Sequence, residues 1–357
     1  MPGIRQASQA LLVLVAALAV ALPRPEAFIE RVYGRTWYPV LQAAVTGASN
    51  RLPIAVFDAA LVGALALLGW WWWRALGALW RRRSWAPAGR AAAATLTLAA
   101  AVYLWFLAVW GLNYTRPAME VRLALPAGAP TEAEVGTLLD EAVAAVNARY
   151  LESRTAGFEP SRIEADVARA LHAVEARQGR PRPTVPGTPK PTLLAPYFRM
   201  AGVDGLTAPI ALETLLNPDL TAPERPFVLA HEWAHLSGYA AEADANFIAW
   251  LVTQEPGTSP RISYSGWLFL VAEAARQVPS VRRRASLDAL ASGPRQDLAA
   301  IATRMASRVD LVERVGWRVY DSYLRSQGVD DGVRSYSRVI ELIVRARRPD
   351  AAPPVPQ

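Results

Sequence analysis

The apolar positions of this chain fall into two regimes. Up to about residue 112 they come in long unbroken runs, and beyond it they recur at helical spacing between charged residues. Residues 10–22 form an uncharged run of 13 behind Arg5. Residues 54–73 give 20 with one charge, Asp58, near the start, and residues 91–112 give 22 with none. A helix needs about 20 apolar residues to cross the hydrocarbon core, so the second and third runs predict spans. The first is short, and Ala19-Val20-Ala21 resembles a signal-peptide cleavage site. The n-region carries only Arg5, however, which favours an uncleaved span starting nearer Ile4. Residues 1–112 are thus expected to form a membrane domain with three transmembrane helices.

Arg74, Arg81, Arg82, Arg83 and Arg90 lie between the second and third runs with no acid among them. The positive-inside bias places them in the cytoplasm, with everything after Asn113, and residues 23–53, on the other side. Trp70 to Trp73, Trp80 and Trp85 crowd the cytoplasmic end as an interfacial belt. Phe28, Ile29, Val32, Tyr33, Trp37 and Tyr38 are placed to rest on the outer interface.

Past Asn113 the pattern turns amphipathic. Thr131-Glu132-Ala133-Glu134 is a capping box opening a helix to about Glu152, with Leu138, Leu139, Val143 and Val146 on one side. A second helix is expected over 160–178, stopped by Gly179 and Pro181. Residues 180–191 read as a loop, and 202–216, with Ile210-Ala211-Leu212, as an extended edge segment. Further helices are expected near 296–327 and 333–347, before a disordered tail at 349–357. The fold class is therefore mainly α: transmembrane helices, then a mostly helical domain over 113–348 with a small edge β-sheet.

Composition sharpens this picture in three ways. Hydrophobic residues are 52% and charged residues 19%, which excludes global disorder. The absence of cysteine excludes disulfide scaffolds and thiolate metal sites. The net charge of +7 is densest beside the apolar runs and comes with no nucleic-acid-binding motif, so it predicts a lipid bilayer and not nucleic acid as partner.

The chemistry lies in His231-Glu232-Trp233-Ala234-His235. The chain has only three histidines, and two stand four apart, on one face of a helix. Both imidazoles can reach one metal ion, and Glu232 sits about 100° round the helix, placed to act on a metal-bound water. Pro226 suits the first turn of that helix and Gly238 its end. A catalytic Zn2+ wants a third protein ligand. Glu242, in the first turn of a following helix, supplies it in preference to Asp244. Asn246 is one turn on, with an amide oxygen for a ligand histidine's second N–H. His172 has no such company and reads as a surface or packing residue. Zinc lowers the pKa of bound water towards about 7, and Glu232 would take its proton and pass it to the leaving nitrogen. Tyr264, Tyr323 and above all Tyr336 are candidate oxyanion donors. Residues 205–216 could pair with an extended peptide. Glu213 could assist there, although an ordinary surface acid is the plainer reading.

HEWAHLSGYAAEADANFIAWL resembles the gluzincin arrangement of zinc peptidases. That resemblance implies His231, His235 and Glu242 as ligands, Glu232 as base and Asn246 in the supporting position, where Asp is commoner. WGLNYTRP, GLTAPIALE, ISYSGWL and DSYLRSQGVDDGVRSYSRV, with the three early spans, resemble a bacterial membrane family, domain of unknown function 3810. The resulting expectation is a zinc metallopeptidase of the bacterial cytoplasmic membrane, multi-pass, with an extracytoplasmic catalytic domain and a peptide or protein substrate. The alternative is a catalytically inactive ectodomain that binds partners or assists cell-envelope assembly.

Overall fold

The computed structural model describes residues 2–155, 159–326 and 338–351. The chain is mainly helical. Helix α1 (Pro2–Ala21) is followed, across a sharp bend of 114°, by a continuous helical segment. That segment consists of α2 (Glu26–Phe28), a π-helical stretch (Ile29–Trp37) and α3 (Tyr38–Ser49). Helices α4 (Val56–Arg82) and α5 (Ala86–Val109) come next. These two are long and apolar enough to cross a membrane, and the bent pair makes a third span if it is counted as one. Both α1 and α4 pack on α5. The apolar run of the second span predicts its start well. Its end lies further on than the run suggests, because α4 continues through the arginines to a left-handed Arg83. The expected basic loop is therefore mostly helix end. Trp70, Trp73, Trp80 and Trp85 are exposed there.

The segment between the bend and α4 departs from a purely interfacial role. Phe28 and Trp37 are exposed, but Ile29, Tyr33 and Tyr38 are buried in the same apolar core as the later helices. A short 3₁₀ turn (Gly111–Thr115) and α6 (Met119–Arg122) lead from α5 into that core.

Helix α7 (Glu132–Thr155) opens on the expected capping box: Glu134 N–H donates to Thr131 Oγ1 at 3.2 Å, and Thr131 N–H donates back to Glu134 Oε2 at 2.7 Å. Leu138, Leu139, Val143 and Val146 are all buried. Helix α8 (Pro160–Arg177) ends before Gly179, which is left-handed at φ +66°. Then come α9 (Ala195–Ala201), β1 (Gly205–Ala208), β2 (Glu213–Leu216), α10 (Arg225–Leu236) and α11 (Glu242–Thr253). The chain continues through α12 (Pro260–Gln277), α13 (Ser280–Asp288), α14 (Ser292–Met305), α15 (Asp310–Ser326) and α16 (Arg338–Ala346). The single helix expected over 296–327 is two, broken at 306–309. The sequence reading did not anticipate α9, α12 or α13. Helix α12 packs on both α7 and α10, and it is apolar on too many sides for a clean helical stripe.

The sheet is a two-stranded antiparallel hairpin, with Gly205 opposite Leu216 and Ala208 opposite Glu213. Ile210 to Leu212 form its turn instead of a strand. Lys190 bridges the far side of β2, while the other edge of β1 has no strand partner among the described residues. Glu213 is a correction: it is buried, not a surface acid. It accepts from Lys190 Nζ (2.7 Å), Ser49 Oγ (2.6 Å) and the first N–H groups of α4, Val56 (2.9 Å) and Phe57 (2.8 Å). These are orphan donors of a helix start, so one carboxylate joins the sheet to a span.

Candidate metal centre

Helix α10 carries its motif between two well-held ends. Pro226 lies in its first turn, where a missing N–H costs nothing. At and just past its end, three carbonyls accept from distant side chains: Leu236 O from Tyr38 Oη (2.9 Å), Gly238 O from Arg116 Nη1 (3.0 Å) and Ser237 O from Arg180. Gly238 sits at φ +84°, a conformation that costs other residues about 1–2 kcal/mol. A Cβ there would stand 2.7 Å from Arg116 Nη1 and 2.8 Å from Asn113 Oδ1. WGLNYTRP is thus the cushion on which the chain turns, sending α11 back beside α10.

Glu242 is the first residue of α11, where the helix dipole favours a carboxylate. Its Oε2 lies 3.3 Å from His231 Nε2 and 3.5 Å from His235 Nε2. The two imidazole centroids are 4.6 Å apart at 83°, and one donor atom from each residue falls within 4.8 Å of the others. Zinc–ligand bonds of about 2.0–2.2 Å in a tetrahedron require donor separations of about 3.4 Å. The two His–Glu separations meet that, and all three donor atoms lie within 4.8 Å of one another, a set that could hold a small divalent cation once the two imidazoles close on it.

The electrostatics of these buried groups are strongly coupled. Burial pushes Glu242 up, but the two histidines outweigh it and hold the carboxyl well below its usual range. Burial pulls His235 down, while the Glu242 charge, with Glu232 and the Tyr239 carbonyl, lifts it to about 9. The carboxylate and the protonated imidazole therefore stabilise each other. His235 Nδ1 lies 2.8 Å from Tyr239 O, the second contact that orients a ligand imidazole. His231 Nδ1 is buried with no hydrogen-bond partner among the described residues. Asn246 is buried nearby but bonds neither histidine among the described residues; His235 Nδ1 meets the Tyr239 carbonyl instead. Asp244 is not part of the cluster. Burial raises it to about 7, against the pull of Arg122.

Glu232 is buried beneath β1. Thr207 Oγ1 lies 2.8 Å from both its carbonyl and its Oε2. Burial raises its pKa, partly countered by His231 and His235. The approach of β1 depends on Gly205, where a Cβ would lie 2.5 Å from Glu232 Oε1. Neither Gly205 nor Thr207 was singled out by the sequence reading; the signal was a glycine two positions before a threonine in GLTAPIALE. Trp110, the residue after α5, places its ring 6.0 Å from that of His235.

The other candidates lie elsewhere. Tyr264 donates to Asp297 (2.6 Å) and meets Tyr150 edge-on, between α12 and α7. Tyr336 and the side chain of Tyr323 lie outside the described residues. His172 Nε2 meets Thr184 O at 2.8 Å, a packing role.

The family described as protein of unknown function, DUF3810, matches residues 33–344. The chain belongs to this family. The match begins within the helical segment ahead of α4, in agreement with the burial of Tyr33 and Tyr38 in the common core. Neither a curated protein nor a solved structure matches the chain.

Proposed function

We propose that this DUF3810 member is a membrane-anchored zinc metallopeptidase. The observation that supports this reading best is the convergence of His231, His235 and Glu242, at separations suited to zinc, beside a buried Glu232 that is not one of the three. Zinc held there would supply a Lewis acid for the substrate carbonyl and an acidified water. Glu232 accepts a proton from the attacking water, whose oxygen bonds to the carbonyl carbon. As the C–N bond breaks, Glu232 returns a proton to the leaving amine. Its raised pKa suits both transfers. Thr207 holds the carboxylate on the helix side, and the open edge of β1 offers backbone groups to an extended peptide. The arginines at the far ends of α4 and α5 favour an extracytoplasmic site.

The test uses the full-length protein in detergent, because residues before Asn113 belong to the core. One zinc per chain is expected, with turnover of a peptide library. Glu232→Gln should keep the zinc and lose turnover. His231→Ala should lose both, and zinc retained at full stoichiometry in that variant would show that the site is misassigned.

A further inference from the structure

The height of the site above the spans carries a statement about substrate. Trp105 belongs to α5, four residues before its end at Val109, which at 1.5 Å per residue is about 6 Å inside the span. Its indole N–H donates to Ile210 O at 2.8 Å, so the turn of the β1–β2 hairpin lies against the span itself. The same strand covers the Glu232 carboxylate at Gly205 and Thr207. From Thr207 the strand runs to Ala208 and then turns, so Ile210 is three residues on and at most about 10 Å away. The open edge of β1 therefore leads from the reacting groups directly to the level of the lipid.

Two further anchors fix this arrangement. Glu213 on β2 binds the first N–H groups of α4. Asp58, in the first turn of the same span, accepts from Thr192 Oγ1 (2.8 Å) and Leu193 N–H (2.7 Å). Apolar side chains stand exposed beside these anchors: Ile54 at 59% and Leu193 at 71%. Both stand at the start of α4 or on the segment tied to it, where a bilayer around that helix would cover them. Trp110 against His235 sets the metal cluster just beyond the end of α5.

We propose that the substrate is a membrane-anchored polypeptide, bound along the open edge of β1 as it leaves the bilayer and cut within about ten residues of its anchor. A path of at most about 10 Å and a head-group crossing of about 5–7 Å amount to about five residues at about 3.3 Å each, and the bound of about ten allows as much again. This rests on the metallopeptidase reading.

The experiment uses full-length, zinc-loaded protein in lipid vesicles. It is given a mixed-sequence peptide library in two forms, free in solution and attached to a lipid through Gly/Ser spacers of 2 to 30 residues. Cleavage sites are read by mass spectrometry. Position carries the test, since co-localisation alone accelerates cutting of any anchored peptide. The expected result is a cluster of cuts at a constant distance from the lipid whatever the spacer length, moving into the spacer as it grows. Trp105→Phe, which removes the bond to Ile210, should broaden that cluster at least twofold with zinc content unchanged. Cuts that follow peptide sequence and ignore the anchor would overturn the proposal and leave the metallopeptidase reading intact. Failure to cut either library would overturn both.

Discussion

Gly205→Ala isolates the contact between the edge strand and the reacting carboxylate. The new methyl would stand 2.5 Å from Glu232 Oε1 and 2.9 Å from its Cδ and Cγ, whereas ordinary van der Waals contact begins at 3.4 Å. Something must retreat by about 0.9 Å. The backbone of β1 is paired with β2 along all four residues, and the hairpin turn is held by Trp105. The Glu232 carboxylate is the softer partner and swings away, loosening its bond to Thr207. A displacement near 1 Å in a reacting group costs on the order of 10²-fold in rate. The donor atoms of His231, His235 and Glu242 are untouched, so zinc affinity should stay within about twofold. The assay is kcat/KM on a library peptide cut by the wild-type protein, with zinc titration in parallel. Wild-type turnover in Gly205→Ala would refute the placement of Glu232 under β1 as the reacting geometry. Loss of zinc together with activity would show that the strand, and not the base alone, supports the metal site.

Gly238→Ala meets both a left-handed φ and the crowding of Arg116 and Asn113; a loss of at least about 1–2 kcal/mol is expected, read as a lowered thermal midpoint in detergent. Glu213→Ala leaves the buried Lys190 ammonium without its carboxylate and should cost about 3–5 kcal/mol, whereas Asp244→Asn should leave zinc affinity unchanged. Glu213 also sets a pH dependence. Burial acts to raise its pKa, but the bonds from Lys190, Ser49 and the Val56 and Phe57 amides lower it below the ordinary glutamate value. Its contribution to stability is thus fully present above the unfolded-state pKa of about 4.3. It is lost as pH falls through the lower folded value. The stability gap between wild type and Glu213→Gln, followed by thermal melting, should close on acidification; a gap that widens would contradict the burial of this carboxylate among donors.

The sequence alone determined what repeats or recurs at short range. Uninterrupted apolar runs announced α4 and α5 as helices long and apolar enough to cross a membrane, because such a helix needs about 20 apolar residues in succession. Thr131 and Glu134 marked the start of α7, and the four-residue spacing of His231 and His235 put both on one face of α10, because helix geometry is local. Glu242 followed from the next helix start. What only the tertiary structure decided is long in range. Tyr38 reaches Leu236 across 198 positions, so the segment before α4 could be legible as apolar yet not as core. Glu213 resembled any surface acid until the sheet carried it under the first turn of α4. The fall of Gly205 onto Glu232, and of Ile210 onto Trp105, depends on where the hairpin packs. Such contacts join residues with no common periodicity, and only the folded chain brings their side chains within a few ångströms of one another.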